Sequence, residues 1–232
     1  MMATPWRFWR GWSEDELREY LAELRDARPN FHERPQRMTP EHGWKVDGAD
    51  RVIGCEPPGP PVPDGIFERA KQAVVNYDFS DPRIVVGHFD PAAPLANRTI
   101  LLEIKSFGPR FLAGVRVHTV RDESDDSRTS FGFRYDTLEG HFEQGFEWFL
   151  LSKRHVSGEI RFRIQAHWRM GDFPTWWSRL GFLVLGQWSR ARWRRLAVER
   201  LQRLAPRPPE TPVAEHGRLA HRGDRTPRRS GT

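Results

Sequence analysis

The sequence predicts an α+β protein in which a curved antiparallel sheet wraps around a long C-terminal helix. Three observations predict this fold. Apolar residues recur at every second position in a series of segments between residues 83 and 168. A helix-forming stretch at residues 174–204 follows the last segment. A sheet with one apolar face must cover that face with another layer, and the terminal helix can provide it in the arrangement called a helix grip.

A helix is predicted first, over residues 13–27. Ser13 and Glu16 have the spacing of a capping box, and apolar residues follow at helical intervals. Residues 28–42 contain three prolines and are expected to form a loop.

The predicted sheet follows this loop. A first strand is expected around residues 51–56, and a short helix capped by Asp64 comes after a proline-rich stretch. The strongest alternation, at residues 158–168, indicates an antiparallel sheet with one face in water. Six strands are predicted at residues 83–89, 98–106, 111–121, 129–138, 143–153 and 158–168.

The terminal helix is predicted from Pro174, which suits a first turn, to the prolines that begin at Pro206. Its length of roughly 46 Å, at 1.5 Å per residue, exceeds the width of a small domain. An eight-stranded ligand barrel is the alternative fold, but so long a terminal helix would have no role in it.

Two apolar stripes run along this helix, and the sheet can cover one of them. The longer stripe includes Phe182, Leu185, Trp193, Leu196, Ala197 and Leu204. The second stripe consists of Trp177, Leu180, Val184 and Trp188. It can be covered by the N-terminal aromatic residues, by a second subunit in a homodimer, or by a membrane surface.

Composition divides the chain into three regions. Residues 1–42 form a helical and aromatic extension, residues 43–204 the helix-grip domain, and residues 205–232 a basic tail that is predicted to be disordered because it lacks periodic apolar residues. The chain carries a formal net charge of +6, and the terminal helix and tail account for all of the excess. The body of the fold is therefore not a nucleic-acid platform.

No cofactor or metal site is predicted. The nine histidines have no pair three or four residues apart, and Cys55 is the single cysteine. Glycine-rich phosphate loops and hydrolase nucleophile elbows are absent from the sequence. The start of the chain lacks the apolar core of a secretory signal, so we expect a cytoplasmic protein or one peripheral to a membrane.

The segment FGFRYDTLEGHFEQGFEWF, residues 131–149, has the pattern of strand, tight turn and strand, with polar residues that a plain hairpin does not need. It resembles the signature of uncharacterised protein family 0548, a group of bacterial and plant proteins without an assigned activity. Asp136 and Glu139 depart from that signature, which usually has glycine and proline there. The matching residues are Gly132, Phe133, Tyr135, Thr137, Leu138, Gly140, His141, Glu143, Gly145, Glu147 and Phe149. The resemblance implies a START-like helix-grip domain with an internal cavity and no known reaction.

The candidate ligand-binding residues lie in this segment: Tyr135, Thr137, His141, Glu147 and Phe149. Strand alternation places Glu147 on the face of Phe149, where it would be a carboxylate in an apolar cavity near Tyr135. In the alternative register Phe146, Trp148 and Leu150 face inward and Glu147 is solvated. Periodicity does not decide between them, because both faces are partly apolar.

Three functions are compatible with these patterns. The first is a non-catalytic domain that binds a small apolar or lipid-like molecule between sheet and helix. The second is an enzyme in which Glu147, with Tyr135 and His141, transfers protons on such a molecule. The third is a peripheral membrane or scaffold protein that acts through its basic, tryptophan-rich terminal helix.

Overall fold

The computed structural model describes residues 6–105, 108–171 and 176–205, without the side chains of residues 176–188. Eight strands and three α-helices make up this part of the chain. The helices are α1 Glu14–Glu23, α2 Ile66–Val75 and α3 Trp176–Leu204. The strands are β1 Trp6–Phe8, β2 Lys45–Cys55, β3 Val85–His88, β4 Thr99–Lys105, β5 Pro109–Ser124, β6 Arg128–Thr137, β7 Glu143–Arg154 and β8 Glu159–Met170.

All strands belong to one antiparallel sheet with the order β2-β8-β7-β6-β5-β4-β3, and β1 pairs with β5 outside that path. Strands β4 to β8 are joined sequentially, so short hairpins set their register. The predicted helix-grip fold is confirmed: a curved antiparallel sheet holds the C-terminal helix.

The main hydrophobic core lies between the sheet and helices α2 and α3, and we call the sheet face toward it the inner face. The alternating residues predicted to point inward from β4, β6 and β8 do so, among them Ile100, Phe133 and Phe162. From the described half of α3, Trp193 and Ala197 enter this core as predicted, together with Val198 and Leu201, whereas Leu204 is 40% exposed. The remaining side chains of the longer stripe up to residue 188 lie outside the described residues.

The sequence predicted that the opposite, outer face of the sheet lies in water. In the structure, parts of this face are covered by the N-terminal region. Leu17, Tyr20 and Leu21 of helix α1, with Leu24 and Ala27 just after it, cover one part of the face in what we call the α1 cluster. The sheet residues of this cluster are Leu101 and Leu112, and Leu138 follows β6. The segment predicted as a loop covers another part of this face, since its residues Phe31 and Met38, together with Trp44 just after it, pack against Phe146. The alternation in β8 predicted that this face lies in water; its polar residues are present, but they coexist with an apolar cover from the N-terminal region.

Helix caps explain where the first two helices begin. The predicted capping box is present, because Ser13 Oγ accepts from the Glu16 amide while the Glu16 carboxylate accepts from the Ser13 amide. The predicted cap of α2 is one residue too early: Gly65 is the N-cap, and Asp64 precedes it with a left-handed φ of 53°.

Two predicted surfaces lie outside the described residues. They are the side chains of Trp177, Leu180, Val184 and Trp188, and the tail after Ala205. Within the described residues the N-terminal aromatic residues contact the sheet and helix α1: β1 pairs with β5, and Trp12 packs with the α1 cluster. Among the helices formed by the described residues, none combines the length and the apolarity that crossing a bilayer requires.

Candidate ligand-binding site

A row of residues across four strands places the predicted site on the inner face. Tyr135 of β6 lies opposite Glu147 of β7, Glu147 opposite Ala166 of β8, and Ala166 opposite Asp47 of β2. Directly opposed residues of neighbouring strands share a face of the sheet. Since Tyr135 and Ala166 are buried and Phe149, two residues from Glu147, is in the main core, the whole row belongs to the inner face.

The hydroxyl of Tyr135 donates a hydrogen bond to Glu147 Oε2 over 2.7 Å. Glu147 is partly buried, and loss of water around its carboxyl raises the pKa of Glu147 to about 7, although this hydrogen bond acts in the opposite direction. The same burial, with the neighbouring carboxylate, raises the pKa of Tyr135 well above its ordinary value. The alternative in which Phe146 faces inward and Glu147 is solvated is wrong. Phe146 packs on the outer face with Phe31, Met38 and Trp44, whereas Glu147 faces inward.

A second tyrosine, Tyr77, brings another hydroxyl to this pair. Its side chain is buried, and its hydroxyl lies close enough to that of Tyr135 to lower the pKa of Tyr77, but no hydrogen bond of good geometry joins the two. Burial and the negative charge of Glu147 both raise the pKa of Tyr77. The residue follows the end of α2 with a φ of 60°, a left-handed conformation that side chains other than glycine and asparagine rarely adopt.

Ion pairs surround the other end of the row. Asp47 accepts from Arg194 of α3 over 2.6 Å and from the Trp168 indole N–H over 3.1 Å. One turn earlier on α3, Arg190 forms an ion pair with Glu143 and stacks 3.8 Å above the Trp168 ring. Burial lowers the pKa of Arg190 to about 10, which keeps it cationic at neutral pH. These contacts attach α3 to β2, β7 and β8 beside the Tyr135–Glu147 pair.

Thr137 and His141 stabilise the hairpin turn instead of joining this pair. The Thr137 hydroxyl donates to Asn30 Oδ1 over 2.6 Å and accepts from the Gly145 amide over 2.9 Å. His141 Nδ1 accepts from the Glu143 amide over 3.0 Å, and burial lowers the pKa of His141 to about 3. The imidazole is therefore neutral, and the structure gives it no hydrogen bond to Glu147.

Phe149 lies at the centre of the aromatic core. Its ring is fully buried, and it contacts Phe79 at a centroid distance of 4.8 Å, Phe133 at 5.1 Å and Tyr135 at 5.3 Å. Phe149 therefore forms an apolar floor next to Tyr135 and Glu147.

Sequence reasoning missed four residues of this region. Tyr77 follows helix α2, and nothing in the sequence indicated its left-handed backbone. Arg190 and Arg194 are four residues apart on one helix face, a spacing that could have indicated two ion pairs with the sheet. The first strand was predicted around residues 51–56, whereas β2 begins at Lys45. Asp47 therefore lay outside the predicted strand, and its position in the row could not be predicted. Within the described residues no group of three metal-ligating side chains is close enough to hold an ion.

The raised pKa of Glu147 predicts a specific pH dependence of stability. The folded state holds a proton on this group between about pH 4.5 and 7, while the unfolded state has released it, so the contribution of Glu147 to stability falls as the pH rises through that window. We expect the free energy of unfolding of Glu147→Gln to fall less between pH 5 and 8 than that of the wild type, measured by urea denaturation. Identical pH profiles for the two proteins would contradict the assignment.

Comparison with known proteins identifies a family match over most of the chain. The family model described as Domain of unknown function (DUF1990) matches residues 28–203. This match begins within the predicted N-terminal extension, at the segment that packs on the outer face. A protein of Deinococcus radiodurans described as UPF0548 protein is 28% identical over 160 residues, which cover 63% of this chain and 74% of that protein. The resemblance to uncharacterised protein family 0548 is thus confirmed.

Three solved structures are similar at low sequence identity. Hypothetical protein jhp0584 from Helicobacter pylori is 13% identical with a TM-score of 0.44, over 76% of this chain and 97% of that one. Ara h 8.0201 is 10% identical with a TM-score of 0.41, over 70% and 98%. A point mutant of Thalictrum flavum norcoclaurine synthase is 9% identical with a TM-score of 0.38, over 67% and 95%.

Proposed function

This chain belongs to the family described as Domain of unknown function (DUF1990), and from the geometry of its inner face we propose that it is a binding protein for a small, largely apolar molecule. The molecule would lie between the inner face and α3, with its polar group at Glu147, Tyr135 and Tyr77. One observation carries this proposal: the buried hydroxyl of Tyr77, which forms no hydrogen bond of good geometry, lies beside the hydrogen-bonded pair of Tyr135 and Glu147.

The energetic argument concerns the cost of leaving polar groups unsatisfied. A buried hydroxyl without a hydrogen bond costs about 1–3 kcal/mol, and a left-handed tyrosine adds about 1–3 kcal/mol of backbone strain. Tyr77 carries both features, and its ring is held in place by Phe79 and Phe149 at centroid distances of 4.8 and 6.0 Å. A ligand that hydrogen-bonds to Tyr77 would recover the first cost.

The expected result with the full-length protein is a molecule that co-purifies from its own host and appears in native mass spectra. Glu147→Gln and Tyr135→Phe should each weaken its rebinding at least about tenfold, because each removes a hydrogen bond to the buried polar group. Rebinding of the extracted molecule would be measured by calorimetry, with the fold checked by circular dichroism.

Tyr20→Phe is the matched control for the tyrosine variant. Tyr20 packs in the α1 cluster on the outer face, so its loss should leave binding unchanged. Repeatedly empty spectra, combined with no binding of apolar probes, would refute the binding function. Equal weakening by Tyr20→Phe and Tyr135→Phe would locate the molecule away from the inner face.

Proton transfer on the bound molecule is a second candidate function. It is favoured by the Glu147 carboxyl, whose pKa of about 7 suits both uptake and release of a proton near neutral pH. Tyr135 would orient this carboxyl and His141 would take no part, since its ring accepts from the turn backbone. Chemical change of the co-purified molecule during incubation with wild-type protein, and none with Glu147→Gln, would distinguish an enzyme from a binding protein.

A further inference from the structure

Besides Glu147, the inner face carries three other buried or half-buried carboxylates within the described residues, and each of them has a cation of its own. Each pair joins a strand or loop to another element of the fold. The pairs are Asp47 with Arg194 at 2.6 Å, Glu143 with Arg190, and Glu56 with Lys153 at 2.8 Å. The cations of these three pairs are thus already engaged by carboxylates of the protein.

Glu147 differs from these three carboxylates. Its hydrogen bond within the described structure comes from the neutral hydroxyl of Tyr135. Arg194 is close enough to lower the pKa of Glu147, but its guanidinium is bound to Asp47, whose charge raises that pKa again. A desolvated carboxylate needs a cation or a proton. A cationic group of a ligand would therefore stabilise the ionised form of Glu147.

The surroundings of Glu147 are aromatic. The rings of Tyr135 and Tyr77 flank Phe149 at centroid distances of 5.3 and 6.0 Å. Aromatic faces attract ammonium groups, and the attraction grows when water is excluded. A tyrosine hydroxyl can also accept a hydrogen bond from an ammonium, which the hydroxyl of Tyr77 would do, since it forms no hydrogen bond of good geometry in the described structure.

We propose, on the basis of the binding function proposed above, that the bound molecule carries a protonated amine whose nitrogen forms an ion pair with Glu147 beside the rings of Tyr135 and Tyr77. The three N–H donors of a primary ammonium match the Glu147 carboxylate and the Tyr77 hydroxyl. An alcohol in this place would leave the carboxylate charge unpaired, and a carboxylate ligand would be repelled by Glu147 and Asp47. The ligand class is therefore an amine with an apolar body.

The test uses three probes that share one alkyl chain and differ only in the polar group: octylamine, octanol and octanoate. Calorimetry with the full-length protein at about pH 8, where Glu147 is ionised and the amine is protonated, should show octylamine binding at least about tenfold more tightly than the other two. In Glu147→Gln this preference should fall below about threefold while octanol binding persists. Octylamine affinity should also fall from pH 8 to 6 in the wild type, because Glu147 takes up a proton.

Glu159→Gln is the matched control, since Glu159 lies on the outer face of β8 and pairs with Arg161. It should keep the amine preference. Equal or tighter binding of octanol or octanoate to the wild type would overturn the amine inference and leave the binding function standing, as would a co-purified ligand without a basic nitrogen. Absence of all probe binding together with empty native spectra would instead refute the binding function itself.

Discussion

Replacing Lys153 with methionine is expected to lower the free energy of unfolding by about 3–5 kcal/mol, the range measured when one partner of a buried ion pair is removed. Lys153 of β7 is fully buried, and its ammonium donates to Glu56 Oε2 and to the Pro60 carbonyl, both over 2.8 Å. Glu56 also accepts from the Phe67 amide at the start of α2. The substitution leaves this carboxylate buried without its cation, and urea denaturation at neutral pH would measure the loss.

Two further variants test the cause of this loss. Lys71→Met removes a lysine–carboxylate pair at the surface, with Asp122, and should cost less than about 1 kcal/mol. The double variant Lys153→Met with Glu56→Gln should recover part of the stability, because no charge stays buried and the new amide can still accept from Phe67. A loss below about 1 kcal/mol for Lys153→Met, or a double variant no more stable than the single one, would disprove the role of charge burial.

The sheet and its inner face could be predicted from alternation alone. Each strand from β4 to β8 was assigned in sequence, and β8 contributes Ile160, Phe162 and Ile164 to the core as its period required. Hairpin connections then fix the register, and with it the pairing of Tyr135 with Glu147. The orientation of β7 could not be predicted, because apolar residues stand on both of its faces. Only the packing of residues 28–44 on Phe146, a long-range contact, explains the second apolar face.

The remaining parts of the site depend on contacts between elements distant in sequence. Tyr77 reaches Glu147 because the chain turns left-handed after α2, and a tyrosine gives no local signal for such a turn. Arg190 and Arg194 contact the sheet because α3 crosses β2, and helix periodicity cannot locate that crossing. Tertiary packing thus brings together the polar residues of the inner face, whereas its apolar residues could be predicted from the alternation in the sequence.

Phe149→Ala is expected to destabilise the protein by about 3–5 kcal/mol, the usual range for a large core aromatic. The ring is fully buried and contacts aromatic residues from three other parts of the chain, among them Phe79 before β3, Phe133 on β6 and Trp193 on α3. Its loss removes both the buried area and the edge-to-face contacts that hold α3 on the sheet. Chemical denaturation monitored by tryptophan fluorescence would measure the change.

Phe149→Leu and Phe8→Ala separate cavity formation from general loss of aromatic residues. Leucine keeps much of the buried volume, so Phe149→Leu should cost less than half as much as the alanine variant. Phe8 is 55% exposed, and its replacement should change stability by no more than about 0.5 kcal/mol. Because Phe149 also forms the floor beneath Tyr135 and Glu147, the alanine variant should weaken ligand binding while it still folds. Equal stability of Phe149→Ala and Phe8→Ala would mean that the aromatic contacts around Phe149 do not hold the helix to the sheet.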